Sequence, residues 1–375
     1  MSNHSKQQRI FVDCHVFDEG FQGTRTYIEG LYKELIKDTT KHFYLAAGNV
    51  VNLEKIFGTH SNVTFLKYKI ESKIFRLLFY CPWLILINKI NFAHFQYRVP
   101  PLKFCRYIVT IHDVLFEDFP EYFPKLNRKI SYFTYKFSAK YSEIVLTVSP
   151  YAKGTIIKHL GVKNVAITPN GIADTFYESY NKAEIDRQVK EKFNVQDYFI
   201  YISRWEPRKN HHLIVKTVME HERFKKYKLV FVGDTTFKNQ EYDVLYSNLN
   251  KEDKNRIVSL SRVSFQDAIL LLRGARLSIY PSVAEGFGIP PLEAIAAGIP
   301  TLSANTTAMA DYMDFMGKYQ FNPYSETEFL QKLDFVLNEE SNVAFESMKS
   351  IIKERYNWKK AADAYIAALK KYIAE

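Results

Sequence analysis

Only three of the 375 residues are cysteine (Cys14, Cys81 and Cys105), an odd number, widely spaced and without a CxxC pair. A disulfide scaffold and a cysteine-rich zinc site are both disfavoured, and a reducing, cytoplasmic setting is expected. The opening MSNHSKQQRIFVDCHV lacks the charged leader, apolar run and small-residue cleavage site of a signal peptide. Long apolar runs are missing as well. The longest uncharged one, Leu77 to Ile87, contains Pro82 and covers 11 residues, where a membrane-spanning helix needs about 20. No zinc-finger, RNP or GxxG-type signature supports nucleic-acid binding, and no low-complexity tract or repeat period is present.

What is present is a globular composition, 47% hydrophobic and 25% charged, with aromatics at 15% (29 Phe, 26 Tyr). Disordered and fibrous chains are thereby excluded. The length exceeds one ordinary core and suits two. The net charge of +10 is uneven: residues 1–178 carry 23 Lys and Arg against 15 Asp and Glu, residues 179–375 carry 28 against 26. A basic first half attracts phosphorylated substrates or anionic lipid.

Short apolar runs at 10–14, 43–47, 63–66, 92–96, 107–111, 144–148 and 165–168 read as strands, with helical stretches between them at 24–36 and 125–141. Ser149 and Pro150 read as the N-cap and first turn of a helix that Gly161 closes. The alternation restarts with strands at 198–203, 229–232, 257–260, 277–280 and 301–303 and helices near 210–221, 239–249, 265–274 and 290–297. The expected architecture is α/β: a Rossmann-like domain over 1–177, a second over 178–355, and a terminal helix over 356–375 that packs back on the first. Two facing sheets of this kind set their carboxyl-end crevices around a ligand cleft.

Chemistry concentrates in two segments. In Tyr280-Pro-Ser-Val-Ala-Glu285-Gly286-Phe287-Gly288-Ile289-Pro290-Pro291-Leu292-Glu293 a strand runs into a glycine turn and then a helix. Gly286 and Gly288 expose backbone N–H groups before a helix start, a geometry that suits anions. Glu285 and Glu293 bring carboxylates suited to hydroxyl groups to the same turn. In Ser203-Arg204-Trp205-Glu206-Pro207-Arg208-Lys209-Asn210-His211, Arg204 and Lys209 follow a strand end and suit a diphosphate. Read alone, the first segment is also a plain linking turn and the second a solvated basic one.

Together the segments resemble the retaining nucleotide-sugar glycosyltransferases of glycosyltransferase family 4, whose GT-B fold sets two Rossmann-like domains across a cleft. The resemblance extends from the Gly20-Phe-Gln-Gly23-Thr24 loop to the Trp358 region. It implies transfer of a hexose from a nucleoside diphosphate to a saccharide or lipid-linked saccharide hydroxyl, with retained configuration and no cofactor. It further implies that Arg204 and Lys209 bind the diphosphate, that Glu293 holds the ribose hydroxyls, and that Glu285 lies near the donor sugar. The amides of Gly286, Phe287, Gly288 and Ile289 grip the hexose and phosphates, Gly23 and Thr24 close on the diphosphate, and Val263 meets the base. His112, in Thr110-Ile-His112-Asp113, faces the donor sugar near the acceptor, and Asp113 either orients it or contacts the acceptor. The stretches His94-Phe-Gln96-Tyr-Arg98 and Phe116-Glu-Asp-Phe-Pro120 resemble bacterial mannosyltransferases, which favours GDP-mannose. A UDP-hexose donor, a nucleotide-sugar epimerase and a non-catalytic membrane-associated scaffold stay open as alternatives.

With no Asp-x-Asp in the chain, the leaving diphosphate is expected to be met by cations and amides and not by a metal. No GxGxxG follows the first strand, which disfavours an oxidoreductase. Two further stretches bear on an acceptor. Residues 67–87, with Lys67, Lys69, Lys73 and Arg76 beside the apolar run, read equally as core and as contact with the inner face of a membrane. In the helix over 125–141 the stripe Leu126, Ile130, Phe133, Phe137 and Tyr141 reads as a core face with Lys125, Arg128, Lys129, Lys136 and Lys140 in solvent.

Overall fold

The computed structural model describes residues 7–18, 23–69, 72–235, 237, 239–338 and 342–373. The chain forms two compact units, the first of Met1–Gly171 with Tyr356–Glu375 and the second of Ile172–Arg355. The division falls at 171/172, six residues before the expected 177/178. Gly171 itself explains this: a side chain there would run into the backbone nitrogen of Trp358, 2.5 Å from its Cβ, so Gly171 is packed inside unit 1.

Unit 1 is a seven-stranded parallel sheet of β1 (Gln8–Asp13), β2 (Lys41–Ala47), β3 (Val63–Lys67), β4 (Phe92–Gln96), β5 (Arg106–Thr110), β6 (Ile144–Thr147) and β7 (Val165–Ile167), in the order β3-β2-β1-β4-β5-β6-β7. β4 is buried along its whole length and β5 along all but its first residue, as expected of strands covered on both faces. Local signals act where the sequence put them. Ser149 Oγ accepts from Ala152 N at 3.0 Å, Pro150 opens the helix Pro150–Leu160, and Gly161 ends it in the left-handed conformation. The terminal helix Trp358–Ile373 packs on the helix Gly23–Leu35. A glycine is required there: a Cβ on Gly30 would sit 2.0 Å from the Trp358 ring. Tyr32 and Tyr365 meet through their hydroxyls at 3.3 Å in the same seam.

Unit 2 holds β8 (Tyr198–Ile202), β9 (Lys228–Val232), β10 (Ile257–Leu260), β11 (Leu277–Tyr280), β12 (Thr301–Ala304) and β13 (Gln320–Phe321), all parallel, in the order β10-β9-β8-β11-β12-β13. The strand order reverses between β8 and β11, and between β1 and β4 in unit 1. Crevices open at the carboxyl ends of such strand pairs, where ligands of open α/β sheets bind. No helix among the described residues is long and apolar enough to cross a membrane.

Candidate active site

Arg204 and Lys209 leave the end of β8, and Glu285 follows the end of β11, so the reversal point of the unit 2 sheet brings both segments together. Lys209 is not part of a solvated basic turn. The one-turn helix Pro207–Lys209 and the left-handed Asn210 (φ 56°) turn its side chain inward, where it is buried. Its Nζ donates to Glu285 Oε1 at 2.5 Å and to the Tyr280 hydroxyl at 3.2 Å. Arg204 is exposed.

Three residues that sequence reasoning passed over complete the Glu285 cluster. Arg208 Nη1 lies 3.3 Å from Oε1, while its Nη2 pairs with Glu206 Oε2 at 2.7 Å. Ser282 Oγ and Tyr280 OH donate to the same oxygen at 2.5 and 3.1 Å. Burial on its own would raise the Glu285 pKa, but the two cations and the Ser282 hydroxyl bring it down to about 2. The Lys209 pKa is lowered, by burial first and then by Arg208, with Glu285 opposing both. Since Glu285 is held ionised and sits against it, we take the pair as charged. Lys209, Ser282 and Tyr280 thus all donate to the one oxygen Oε1. The carboxylate's backbone is also fixed, Glu285 N donating to Thr307 Oγ1 at 2.9 Å. Tyr280 and Ser282 lie five and three residues before Glu285 around a strand end, but alternation alone did not say that they turn to one atom.

The glycine turn has a steric reason. Gly288 adopts φ +83°, and a Cβ would stand 2.7 Å from Met309 Cγ, so a side chain is excluded twice over. The Tyr312 hydroxyl donates to Phe287 O and ties the loop down. The helix Ile289–Ala296 begins with Pro290 and Pro291 in its first turn, and proline has no N–H. The first helical turn therefore offers an anion few N–H groups, which narrows the expected anion site. Glu293 is partly buried on this helix, and burial raises its carboxyl pKa to about 7.

Beside this cluster, a cavity of about 470 Å³ opens between the ends of β8, β9 and β10, bounded by Trp205, Gly233, Tyr242 and Leu260. Trp205 stacks on the buried His211 at 4.1 Å between centroids. Val263 lies beyond β10, partly buried, two residues before the helix Phe265–Gly274.

In unit 1, His112 follows β5 and is buried; desolvation lowers its pKa to about 3, so the ring is neutral. Its Nε2 lies 2.8 Å from Gln96 Oε1. An amide oxygen only accepts, so the proton sits on Nε2 and Nδ1 is the acceptor. Tyr27 and Tyr97 flank the ring at 5.0 and 5.3 Å, and Tyr97 holds φ 62°, a costly conformation for a tyrosine. Gln96 orients the ring, the role the sequence offered to Asp113; Asp113 Oδ1 accepts from Leu115 N at 3.3 Å. Gly23 opens its helix with free space where a Cβ would be, and Thr24 is partly buried. Gly20 lies outside the described residues. Among the described residues no group of three His, Cys, Asp or Glu is arranged to hold a metal.

Two open α/β sheets, one carrying this charged crevice, define a glycosyltransferase of GT-B architecture. Residues 21–176 match the model described as "Glycosyltransferase Family 4" and residues 182–364 match "Glycosyl transferases group 1". The chain belongs to glycosyltransferase family 4. It is 30% identical over 255 residues to the O-antigen chain mannosyltransferase RfbU of Salmonella typhimurium and 28% identical over 223 residues to the O-antigen chain mannosyltransferase B of Escherichia coli. These alignments take in 66% and 58% of this chain and the same shares of those relatives' own length. Among solved structures, HepE of Anabaena in complex with UDP and glucose matches with a TM-score of 0.73 at 14% identity, over 97% of this chain and 100% of that one. Sucrose-phosphate synthase of Thermosynechococcus elongatus matches with 0.75 at 13% identity, over 98% and 99%.

Proposed function

We propose that the chain is a retaining hexosyltransferase that moves mannose from GDP-mannose to a hydroxyl of a saccharide or lipid-linked saccharide. The observation that carries the reading is the Lys209–Glu285 cluster with the glycine loop at one sheet crevice. The named mannosyltransferases among the relatives support the choice of sugar. In this reading the bond between the sugar C1 and the diphosphate oxygen breaks, and its electron pair leaves with the diphosphate. Arg204, Lys209 and the amides of Gly286, Phe287, Gly288 and Ile289 meet that charge as it develops. Glu293 holds the ribose diol, Val263 and the cavity beside Trp205 take the base, and Gly23 and Thr24 approach the phosphates.

Glu285 stands toward the sugar, where a fixed negative charge favours an oxocarbenium-like state or attacks C1 outright. The acceptor oxygen then bonds to C1 on the face the diphosphate left, and its proton passes to a phosphate oxygen of the leaving group. Neutral His112 accepts a sugar hydroxyl at Nδ1, and Asp113 contacts the acceptor. A panel of nucleotide sugars tests this, scored for nucleotide release and for thermal stabilisation. GDP-mannose should lead on both; a lead for a UDP-hexose would change the donor. Free altered sugar without acceptor would replace transfer by epimerisation. No turnover and no stabilisation by any donor would leave a non-catalytic scaffold.

A further inference from the structure

Residues 73–87, helical throughout, and the helix Lys125–Tyr141 cross the same face of the unit 1 sheet. They join β3 to β4 and β5 to β6, moving one way along the strand order, while Gly23–Leu35 joins β1 to β2 moving the other way. Right-handed crossovers put the first two on one face and the third on the opposite one. Packing agrees, since Cys81, Leu84 and Ile85 from the first and Tyr132, Tyr135 and Ala139 from the second enter one core cluster.

The outward sides of both helices are apolar. Of the stripe of Lys125–Tyr141 that the sequence suggested for the core, Tyr141 packs against it, but the rest faces solvent: Leu126 is 69% and Phe133 67% exposed, with Ile130 and Phe137 exposed between and beyond them. At about 100° per residue that stripe lies nearly opposite Tyr132, Tyr135 and Ala139. The helix therefore has two apolar stripes, and the tyrosine one packs, partly buried, against the core. On residues 73–87, Ile74 is 68% and Trp83 48% exposed, and Phe75, Phe79, Leu86 and Ile87 are exposed with them. The two helices contain seven Lys or Arg and no Asp or Glu. Lys67 and Lys69, just before the first, are exposed too.

An apolar surface of this extent marks an interaction site. Its charge selects the partner. Protein interfaces are depleted in lysine, whereas exposed Phe, Trp and Leu interleaved with lysine, without one acidic residue, suit an anionic bilayer surface. We propose that this face of unit 1 docks on an anionic membrane, its aromatic and aliphatic side chains entering the headgroup boundary and its lysines meeting lipid phosphates. Both helices begin at the carboxyl edge of the sheet, the edge that carries His112. A lipid-borne acceptor on that surface would present its head group there. The docking itself does not depend on the glycosyl-transfer reading.

The test is cosedimentation of the full chain with vesicles of phosphatidylcholine, with and without phosphatidylglycerol, together with tryptophan emission. Binding should require phosphatidylglycerol and weaken as salt shortens the screening length to about 3 Å at 1 M. Emission should shift to the blue, and Trp83→Phe should remove the shift, because Trp205 and Trp358 are already partly buried. Leu126→Ser with Phe133→Ser, and separately Ile74→Ser with Phe79→Ser, should each lower partitioning by about tenfold or more. These side chains are exposed, so circular dichroism and stabilisation by GDP-mannose serve as controls that separate loss of docking from loss of folding or of the donor site. Wild-type protein that stays off the anionic vesicles would overturn the proposal, as would variants that pellet like the parent. Self-association that these variants abolish, without vesicle binding, would also overturn it and make the face an interface between copies.

Discussion

Lys209 places its ammonium nitrogen 2.5 Å from Glu285 Oε1 in a buried crevice, so the cation and the carboxylate assigned to opposite ends of the donor are one unit. Neither can be altered without consequences for the other. Arg204, by contrast, is exposed.

That difference separates two substitutions that look alike in sequence. Arg204→Ala should slow transfer by roughly two to three powers of ten, as loss of one charge-stabilising donor does, with little change in melting temperature because the side chain is exposed. Lys209→Ala should slow transfer as much and also destabilise unit 2 by about 3 kcal/mol, because a buried carboxylate loses its partner. Steady-state rates and calorimetry on both variants check this; a Lys209→Ala protein as stable as the parent would contradict the buried pair.

Acid stability should report Glu285. Its pKa is lowered on folding from 4.5 to about 2, so its stabilisation is complete above 4.5 and is lost as pH falls through that window toward 2. Glu285→Gln should flatten this part of the stability profile, measured by denaturant unfolding between pH 5 and pH 2.

Glu293 titrates in the opposite sense. Burial raises its pKa to about 7, so the carboxyl is increasingly protonated below that pH and loses acceptor capacity for a ribose diol. Its burial costs stability as pH rises from 4.5 to 7, yet the ionised form is the one that binds. Donor affinity should therefore strengthen as pH rises through about 7, and Glu293→Gln should bind more weakly with little pH dependence. Calorimetric titration with GDP-mannose between pH 5.5 and 8.5 distinguishes the two.

Gln96→Leu should release His112 from its tautomer while keeping volume. The expected result is a fall in kcat of about tenfold or more with a smaller change in KM, since Gln96 positions the ring and does not touch the donor. Equal losses in a soluble fold monitored by circular dichroism for Gln96→Leu and Gln96→Glu would point to packing alone.

Transfer should survive EDTA, because in the proposed mechanism Arg204, Lys209 and the loop amides meet the leaving diphosphate. Loss of activity with EDTA that magnesium or manganese restores would show that a metal shares this role.

Much of the fold was legible because parallel strands covered on both faces are continuous apolar runs, and all twelve runs read as strands correspond to β1–β12 within a residue or two. β13 was not, being two residues long. The segments around Arg204 and Glu285 were legible from spacing, and the reversal of strand order between β8 and β11 explains why they meet. Arg208, Ser282 and Tyr280 were not, since the convergence of three side chains on one oxygen depends on turn geometry that periodicity does not encode. The helix Lys125–Tyr141 misled for a related reason: with a tyrosine stripe and an aliphatic stripe on opposite sides, apolar spacing alone favoured the wrong one.

The seat of Trp358 against Gly30 and Gly171 sets the order in which the protein can be finished during synthesis. Unit 2 lies wholly between Gly171 and Tyr356, so its last residue leaves the ribosome before the helix that closes unit 1. Counted from Gly171, at usual elongation rates the open seam beside Gly30 waits roughly 10 to 40 seconds for Trp358 and Tyr365 to arrive. A message broken shortly before Trp358 would thus yield a unit 1 in which Gly30, Tyr27 and Tyr32 lack their partners Trp358 and Tyr365.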